Sequence, residues 1–451
     1  MAIGTLDESA FVETLKKHLR PSSPIDSFEN LYGRDRQLDQ IKQAIYSPGR
    51  HVFIYGDRGV GKTSLAKTAA YKHHPADGEP VFVACGLGTS FESLIRDIVD
   101  QIKHRAGLSP ARDITKTTIG IKGLGYERTI EKQIGAASDI RDVNTATEAL
   151  RALCAQKTER AVVVIDEFDQ LKNRDDQQHF AELIKQLGDQ TVNLAIIFCG
   201  IGKSLDDLLA SHGSSYRYLE GIELPRLHVS GRWEIIDRSA NALGLAINQD
   251  SRFRISAISD GFPHYVHLVC EKLYWHVFSL AETITAIEPI HYIEAVKAAC
   301  SSIESHLRQA YDKATMKDND VYQEVLWALA DHFELRRNVD AIYRSYMRIM
   351  EDCQKAPLDR KQFVSRLNNL KSVRHGSILR SDKRSWYEFG ENMVRGYVRL
   401  RAEEQGVRLA LEHEPSAEPP RLTARDKGLT PSKVFPRSRV GGDPYRNFGK
   451  K

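Results

Sequence analysis

Gly56-Asp57-Arg58-Gly59-Val60-Gly61-Lys62-Thr63 satisfies G-x-x-x-x-G-K-[ST] at every fixed position, and Ser64 follows. Each residue type has a task in holding phosphate. The glycines allow backbone conformations closed to other residues, so consecutive N–H groups can converge on phosphate oxygens. Lys62 can reach the β- and γ-phosphates, and the Thr63 hydroxyl is a ligand for Mg²⁺. About a hundred residues later, Asp166 and Glu167 close the apolar run Ala161-Val162-Val163-Val164-Ile165. Adjacent carboxylates of this kind suit two roles: Asp166 in the Mg²⁺ shell, Glu167 orienting and activating water. A Gly-rich turn and a solvated acidic turn are the bland alternatives. Each is weakened by the presence of the other motif.

Such residues need elements that hold them. His51-Val52-Phe53-Ile54-Tyr55 is short and β-rich, which predicts a buried strand, and Ser64 to Ala70 predicts the start of a helix. Strand, loop and helix are the context this motif requires, with the helix N-terminus adding to the attraction for anions. The acidic pair ends its own strand, at the edge where ligands collect in open parallel sheets. These features predict an α/β, parallel-sheet P-loop NTPase core that binds and hydrolyses ATP.

The rest of the composition narrows the class. A chain of 451 residues, 27% charged and 41% hydrophobic, has room for two or three domains and the balance of a globular protein. No apolar run approaches a membrane span, and Met1 to Leu19 lacks a signal-peptide core, so the expectation is a cytoplasmic protein without a membrane partner. Cys85, Cys154, Cys199, Cys270, Cys300 and Cys353 are scattered with no C-x-x-C pair, which argues for reduced thiols and against a zinc site. The net charge of +4 is too small to argue for nucleic acid.

Ahead of the P-loop, Tyr32-Gly33-Arg34-Asp35 fits [FY]-G-R-[DE]. This resembles the adenine-side motif of AAA+ ATPases of the Orc-type initiator and STAND group. The resemblance implies that Gly33 and Arg34 join Gly56 to Ser64 in binding ATP, and that the core strands run in the order 5-1-4-3-2. It further implies an α-helical lid, nucleotide between core and lid, and a homo-oligomer in the ATP-bound state. An arginine just before the fifth strand (Gly221 to Leu224) serves the neighbouring subunit in this family, which makes Arg217 the candidate finger; an ordinary surface arginine is the alternative. Asn193 to Cys199 predicts the fourth strand, after which the family carries a polar sensor. This chain departs from that pattern with Cys199 and Gly200, and Ser204 further on. Gly261-Phe262-Pro263 opening a lid helix resembles the second sensor region, with His264, whose imidazole could hydrogen-bond phosphate, where many members have arginine; a histidine that packs in the lid is the alternative.

Two further regions complete the sequence. Residues 107–142 contain Gly alternating with apolar residues, predicting an inserted loop or hairpin. After the lid, helices over Val321 to His332, Val339 to Asp352 and Asp359 to Leu370 precede a hairpin-like pair, Ser377 to Ser381 and Ser385 to Phe389. That is the order of a winged helix. Arg360, Lys361, Gln362, Ser365, Arg366 and Asn369 are of kinds that reach phosphates and base edges, and Arg380, Lys383 and Arg384 would charge the wing. The division is therefore 1–27 N-terminal helix and linker, 28–226 ATPase core, 227–314 lid, 315–405 winged helix, and 406–451 a disordered basic tail.

The leading expectation is an ATP-dependent switch whose winged helix engages double-stranded DNA. A STAND-like signalling ATPase, with the C-terminal module as an autoinhibitory or protein-binding latch, is the alternative. An ATP-dependent regulator of transposition is the third.

Overall fold

Alternate residues of the central strands enter different cores, and this sets the layers of the molecule. The computed structural model describes residues 3, 6–21, 23–25, 28–74, 79–105, 114–119, 128–133, 140–155, 160–202, 205, 208, 217–280, 282–316, 319–381 and 385–410, the two segments 114–119 and 128–133 as backbone only. In its first half the strands are β1 (His51–Tyr55), β2 (Val81–Ala84), β3 (Ile114–Ile119), β4 (Arg128–Gln133), β5 (Ala161–Asp166), β6 (Leu194–Gly200) and β7 (Leu219–Glu223). Five of them form one parallel sheet in the order β2-β5-β6-β1-β7. Renumbered within that sheet, this is the 5-1-4-3-2 order that the family resemblance implied. The other two, β3 and β4, pair as an antiparallel hairpin. Their connecting residues, which include the Gly-alternating stretch, lie outside the described set.

Phe53, Val163, Ile165, Ile196 and Phe198 point into one core, with helices α4 (Phe91–Arg105), α5 (Val143–Cys154) and α6 (Arg174–Asp189). Val52, Ile54, Val162, Val164 and Ile197 point into the other. That second core does not stop at the sheet. It continues through α1 (Glu8–His18), α2 (Asp35–Tyr46) and α3 (Lys62–His73) into the helices of residues 227–314 and onward to residue 407. Residues Met1–His413 accordingly make one compact unit. Residues Glu414–Lys451 make the other, and lie outside the described residues together with 411–413.

The lid comprises α7 (Val229–Ala242), α8 (Gln249–Ile258), α9 (Pro263–Phe278), α10 (Pro289–Ser302) and α11 (Ser305–Ala314). The expectation of helix throughout needs one correction, because Ala246–Ile247 and Ala286–Ile287 form a two-residue parallel pair. The N-terminal helix α1 docks on the lid: Phe11 stacks on Phe278 with ring centroids 4.2 Å apart and meets Trp275 edge-on at 4.9 Å.

After the lid come α12 (Asp320–Ala330), α13 (Val339–Asp352) and α14 (Arg360–Asn369), then the strands Leu379–Arg380 and Trp386–Phe389, then α15 (Asn392–Glu404). Arg337–Asn338, a two-residue strand between α12 and α13, pairs with Trp386–Phe389 to give a three-stranded antiparallel sheet. The three helices and the hairpin follow the sequence reading. The two-residue strand and α15 go beyond it.

Candidate nucleotide-binding site

The parallel sheet brings the P-loop and the acidic pair together although they lie about a hundred residues apart. β6 separates β1 from β5, so Cys199 at its end stands between the two motifs. The Thr63 hydroxyl donates to Asp166 Oδ2 at 2.7 Å, which joins the two candidate Mg²⁺ ligands directly. Lys62 Nζ donates to the carbonyls of Gly56 (3.1 Å) and Asp57 (2.9 Å), so its ammonium is folded back along the loop. Burial holds that ammonium below its ordinary range, against the opposing pull of Cys199, Asp169, Asp166 and Asp57.

Glu167 sits with φ 52°, a left-handed conformation that costs a non-glycine residue on the order of 1 kcal/mol or more. What holds it there is the next residue. Phe168 is fully buried among Phe53, Phe180 and Phe198, at centroid distances of 5.8, 5.5 and 5.1 Å. The Glu167 backbone N–H also donates to Asp166 Oδ1 at 2.8 Å. Glu167 is thereby turned into the cleft, exposed, where a water-activating carboxylate has to be. Burial, followed by the charges of Asp166, Asp169 and Glu167, pushes the Cys85 thiol behind this corner up to about 12.

The cleft has a volume of about 440 Å³, within the ~300–1,000 Å³ typical of ligand sites. Of the residues expected from sequence, Arg58, Gly59, Gly61, Lys62, Thr63, Ser64, Asp166, Glu167 and His264 line it. Gly33, Arg34, Gly56, Asp57 and Val60 do not line it. The buried Arg34 guanidinium donates to the Val60 carbonyl at 3.0 Å, bracing the P-loop from below. Gly33, at φ 64°, packs against the start of the lid: a Cβ there would fall 3.1 Å from Leu227 Cδ1 and 3.2 Å from Gly231 Cα.

Several wall residues were not singled out in the sequence. Pro21, Ser23, Pro24 and Ile25 cross the cleft as a strap, tied at one end by Ile25 N–H to Ser64 Oγ (3.0 Å) and at the other by the Pro21 carbonyl to His264 Nδ1 (2.9 Å). Asp169 adds a third carboxylate beside the acidic pair, and its place in Asp-Glu-Phe-Asp was the available signal. His267 lies three residues after His264 on the same helix, a spacing that puts both on one face. Arg20, Gln170, Ile201, Glu304 and Met393 also line the wall.

Met393 belongs to α15. A Cβ on Gly59 would fall 2.4 Å from its sulfur, so only glycine admits this approach. Beside it, Asn392 Nδ2 donates to Asp57 Oδ2 at 2.8 Å. Behind this contact lies the buried Asp260. It takes Arg226 at 2.7 Å from the end of the core, and Arg399 at 3.0 Å and Arg395 at 3.5 Å from α15. Burial alone would push the Asp260 carboxyl up, but Arg395, Arg399 and Arg226 hold it below its ordinary value. Core, lid and α15 thus meet at one carboxylate next to the P-loop.

Arg217 is exposed just before β7, whose first residue pairs with His51 at the start of β1. It therefore lies at the opposite end of the sheet from its own P-loop. Cys199, at the first-sensor position, is buried, and its thiol contacts the Lys62 carbonyl at 3.8 Å. Burial and Asp166 push that thiol well above its ordinary range. Ser204 lies outside the described residues.

Residues 30–197 match the family model of the AAA ATPase domain. The core is an AAA ATPase domain. It is a P-loop ATPase whose acidic pair and P-loop stand in the places described above. The fold is similar to that of a Walker-type ATPase of Pyrococcus abyssi, at 15% identity and a TM-score of 0.52, over 84% of this chain and 99% of that one. Looser likenesses are found with the ORC2 protein of Aeropyrum pernix (13% identity, TM-score 0.46, covering 88% and 99%) and with Cdc6p of Pyrobaculum aerophilum (16%, 0.41, covering 89% and 99%). A search of curated proteins gives no match. Among the described residues no helix is long and apolar enough to cross a membrane, and no three His, Cys, Asp or Glu side chains group as a metal site.

Proposed function

We propose that this ATPase is a nucleotide-controlled switch whose C-terminal unit, residues 315–405, is a winged helix that engages double-stranded DNA. The observation that carries the switch is the contact of α15 with the P-loop, through Asn392 to Asp57 and Met393 over Gly59. A nucleotide entering the loop must move the Lys62 ammonium off the Gly56 and Asp57 carbonyls and onto phosphate. Asp57, whose carbonyl it leaves, is the residue whose carboxylate Asn392 of α15 holds. Occupancy and placement of the C-terminal unit are thereby linked.

Hydrolysis follows from the same residues. Lys62 and the loop N–H groups bind the phosphates, and Glu167 orients the attacking water and takes its proton as the bond to the γ-phosphorus forms. Thr63 and Asp166, already in contact, would hold Mg²⁺, which when bound neutralises charge on the β- and γ-oxygens. The carboxylate and hydroxyl oxygens of this pair are the donor types Mg²⁺ prefers. Arg217 cannot serve its own site, and its exposure supports a role in the site of a neighbouring copy within an ATP-bound homo-oligomer.

For DNA, Lys361 and Gln362 are exposed on the first turn of α14, and Lys371 and Arg374 are exposed just after it. Arg360 and Arg380 contribute less, because they pair with Asp340 and with Glu388 (2.9 Å) in their own unit. Arg366 is half-buried over the Tyr322 ring. Lys383 and Arg384 lie outside the described residues. The test is duplex-DNA binding with ADP against a non-hydrolysable ATP analogue, across salt, together with ATP turnover with and without DNA. Nucleotide-dependent binding that weakens steeply with salt supports the proposal. Turnover and binding indifferent to DNA at low salt overturn it.

The same contact favours a second reading, in which α15 latches the P-loop until a protein partner releases it, as in STAND-like ATPases. The internal pairing of Arg360 and Arg380 speaks for it. Purified protein that holds ADP tightly and ignores DNA would decide for the latch.

A further inference from the structure

Two imidazoles project from the lid helix α9 into the nucleotide cleft, and they are not equivalent. His264 uses Nδ1 on the Pro21 carbonyl at 2.9 Å, leaving Nε2 buried without a partner. His267 is 2% exposed, and neither of its ring nitrogens has a hydrogen-bond partner. A buried imidazole with both nitrogens unmet costs free energy that an apolar side chain of similar size would not. The position is therefore poorly explained by packing alone. It is well explained if a ligand in the cleft supplies the missing partners.

The chemistry of that ligand can be narrowed. A neutral imidazole offers one N–H donor and one acceptor nitrogen. Burial, and then the neighbouring His264, push the His267 pKa down to about 4, which keeps the ring neutral. The cleft wall already supplies cations for phosphate in Lys62, Arg58 and Arg20, and a neutral ring adds no charge to them. A neutral donor–acceptor pair suits hydroxyl and amino groups. We propose that His267 is a nucleotide-binding residue that hydrogen-bonds the nucleoside part of the bound nucleotide, its ribose hydroxyls or base edge, while the P-loop holds the phosphates. This rests on the nucleotide site assigned above.

The test compares His267→Leu and His267→Gln with the unmutated protein, by thermal melting without ligand and by calorimetric titration with ADP and with inorganic pyrophosphate. In His267→Leu the ligand-free melting temperature should hold or rise, because an unmet polar group is removed. Its affinity for ADP should fall about tenfold, equivalent to about 1.4 kcal/mol, while its affinity for pyrophosphate stays unchanged. His267→Gln, which keeps a donor and an acceptor, should recover part of the ADP affinity. The inference is overturned if His267→Leu melts lower and binds ADP normally, since the ring would then be packing. Equal losses for ADP and pyrophosphate would also overturn it, by moving the contact to phosphate. If His267→Leu fails to fold, His267→Gln alone decides: unchanged ADP affinity together with a lowered melting temperature rejects the inference. Failure of the unmutated protein to bind either ligand would instead remove the nucleotide site itself, and is recognised because Lys62→Ala would then change nothing.

Discussion

Two cavities lie at opposite ends of the same parallel sheet, about 440 Å³ at the carboxyl ends of the strands and about 380 Å³ at their starts. Size does not separate them. The second is walled by Tyr46, Gly49, His73, Arg160 and Asn193 among others, and it contains a half-buried guanidinium, just as the first contains a half-buried ammonium. The difference is what those cations do. Arg160 donates to the carbonyls of Ile45, Ser47, Arg50 and Leu194, which gather the end of α2, the turn before β1 and the start of β6. That binding capacity is used up in folding. At the other end, Lys62 rests on two loop carbonyls that it can exchange for phosphate, and His264 and His267 keep nitrogens unmet. Ligand sites are found where a fold leaves hydrogen bonds unfinished.

The contrast can be broken most forcefully at the P-loop. Lys62→Ala should abolish nucleotide binding in a calorimetric titration, while Glu167→Gln should bind ATP and lose on the order of 10²-fold or more in turnover. Neither should much alter the melting temperature. Asp260→Asn should act the other way. Leaving Arg395 and Arg399 buried without their carboxylate should cost about 3–5 kcal/mol in denaturant unfolding. Because the folded-state pKa of Asp260 lies below its ordinary 3.8, that contribution is present above this value and is lost only as pH falls below it.

Arg160→Met sharpens the comparison at the far end of the sheet. It should destabilise by about 2–3 kcal/mol, since several carbonyls lose a charged donor, yet leave ADP affinity within about twofold of the unmutated value. A large loss of ADP affinity there would mean the two cavities are coupled. The last expected effect is confined to acid pH. His51 is buried in β1, accepts the Ile196 N–H on Nδ1 at 3.1 Å, and is pushed down to about 3 by burial and then by Arg160. The unfolded chain protonates first, so this histidine's contribution is present above about pH 6.5 and is lost as pH falls toward 3. His51→Gln should flatten the stability profile in that window.

The ATP end of the molecule was legible because its chemistry is local in sequence. Fixed spacing gave Gly56 to Thr63, and a strand ending in two acids gave Asp166 and Glu167. The strand order was available only through family resemblance. The charged side chains of the C-terminal unit were harder, because the sequence names cations and not their partners. Nothing in the stretch around Arg380 reveals that Glu388 sits across the hairpin from it. Helix α15 was hidden for a related reason: Arg395 and Arg399 occupy buried positions, which masks the apolar period that marks a packed helix. His267 was within reach, one helical turn beyond a residue already chosen. Its unmet nitrogens are visible only once the fold encloses them.

Asp57 and Asn392 touch across 335 residues of chain. At a ribosomal pace of about 5–20 residues per second, roughly 20–70 s separate the emergence of the two. Once β5, β6 and β7 have joined β1, and until the interval ends, a nascent chain carries a phosphate loop that lacks its cover, first without the lid histidines and then without Met393. A nucleotide captured early would be free to leave. The state of this ATPase is therefore set after residue 393 has joined the fold, and translation itself acts as the delay.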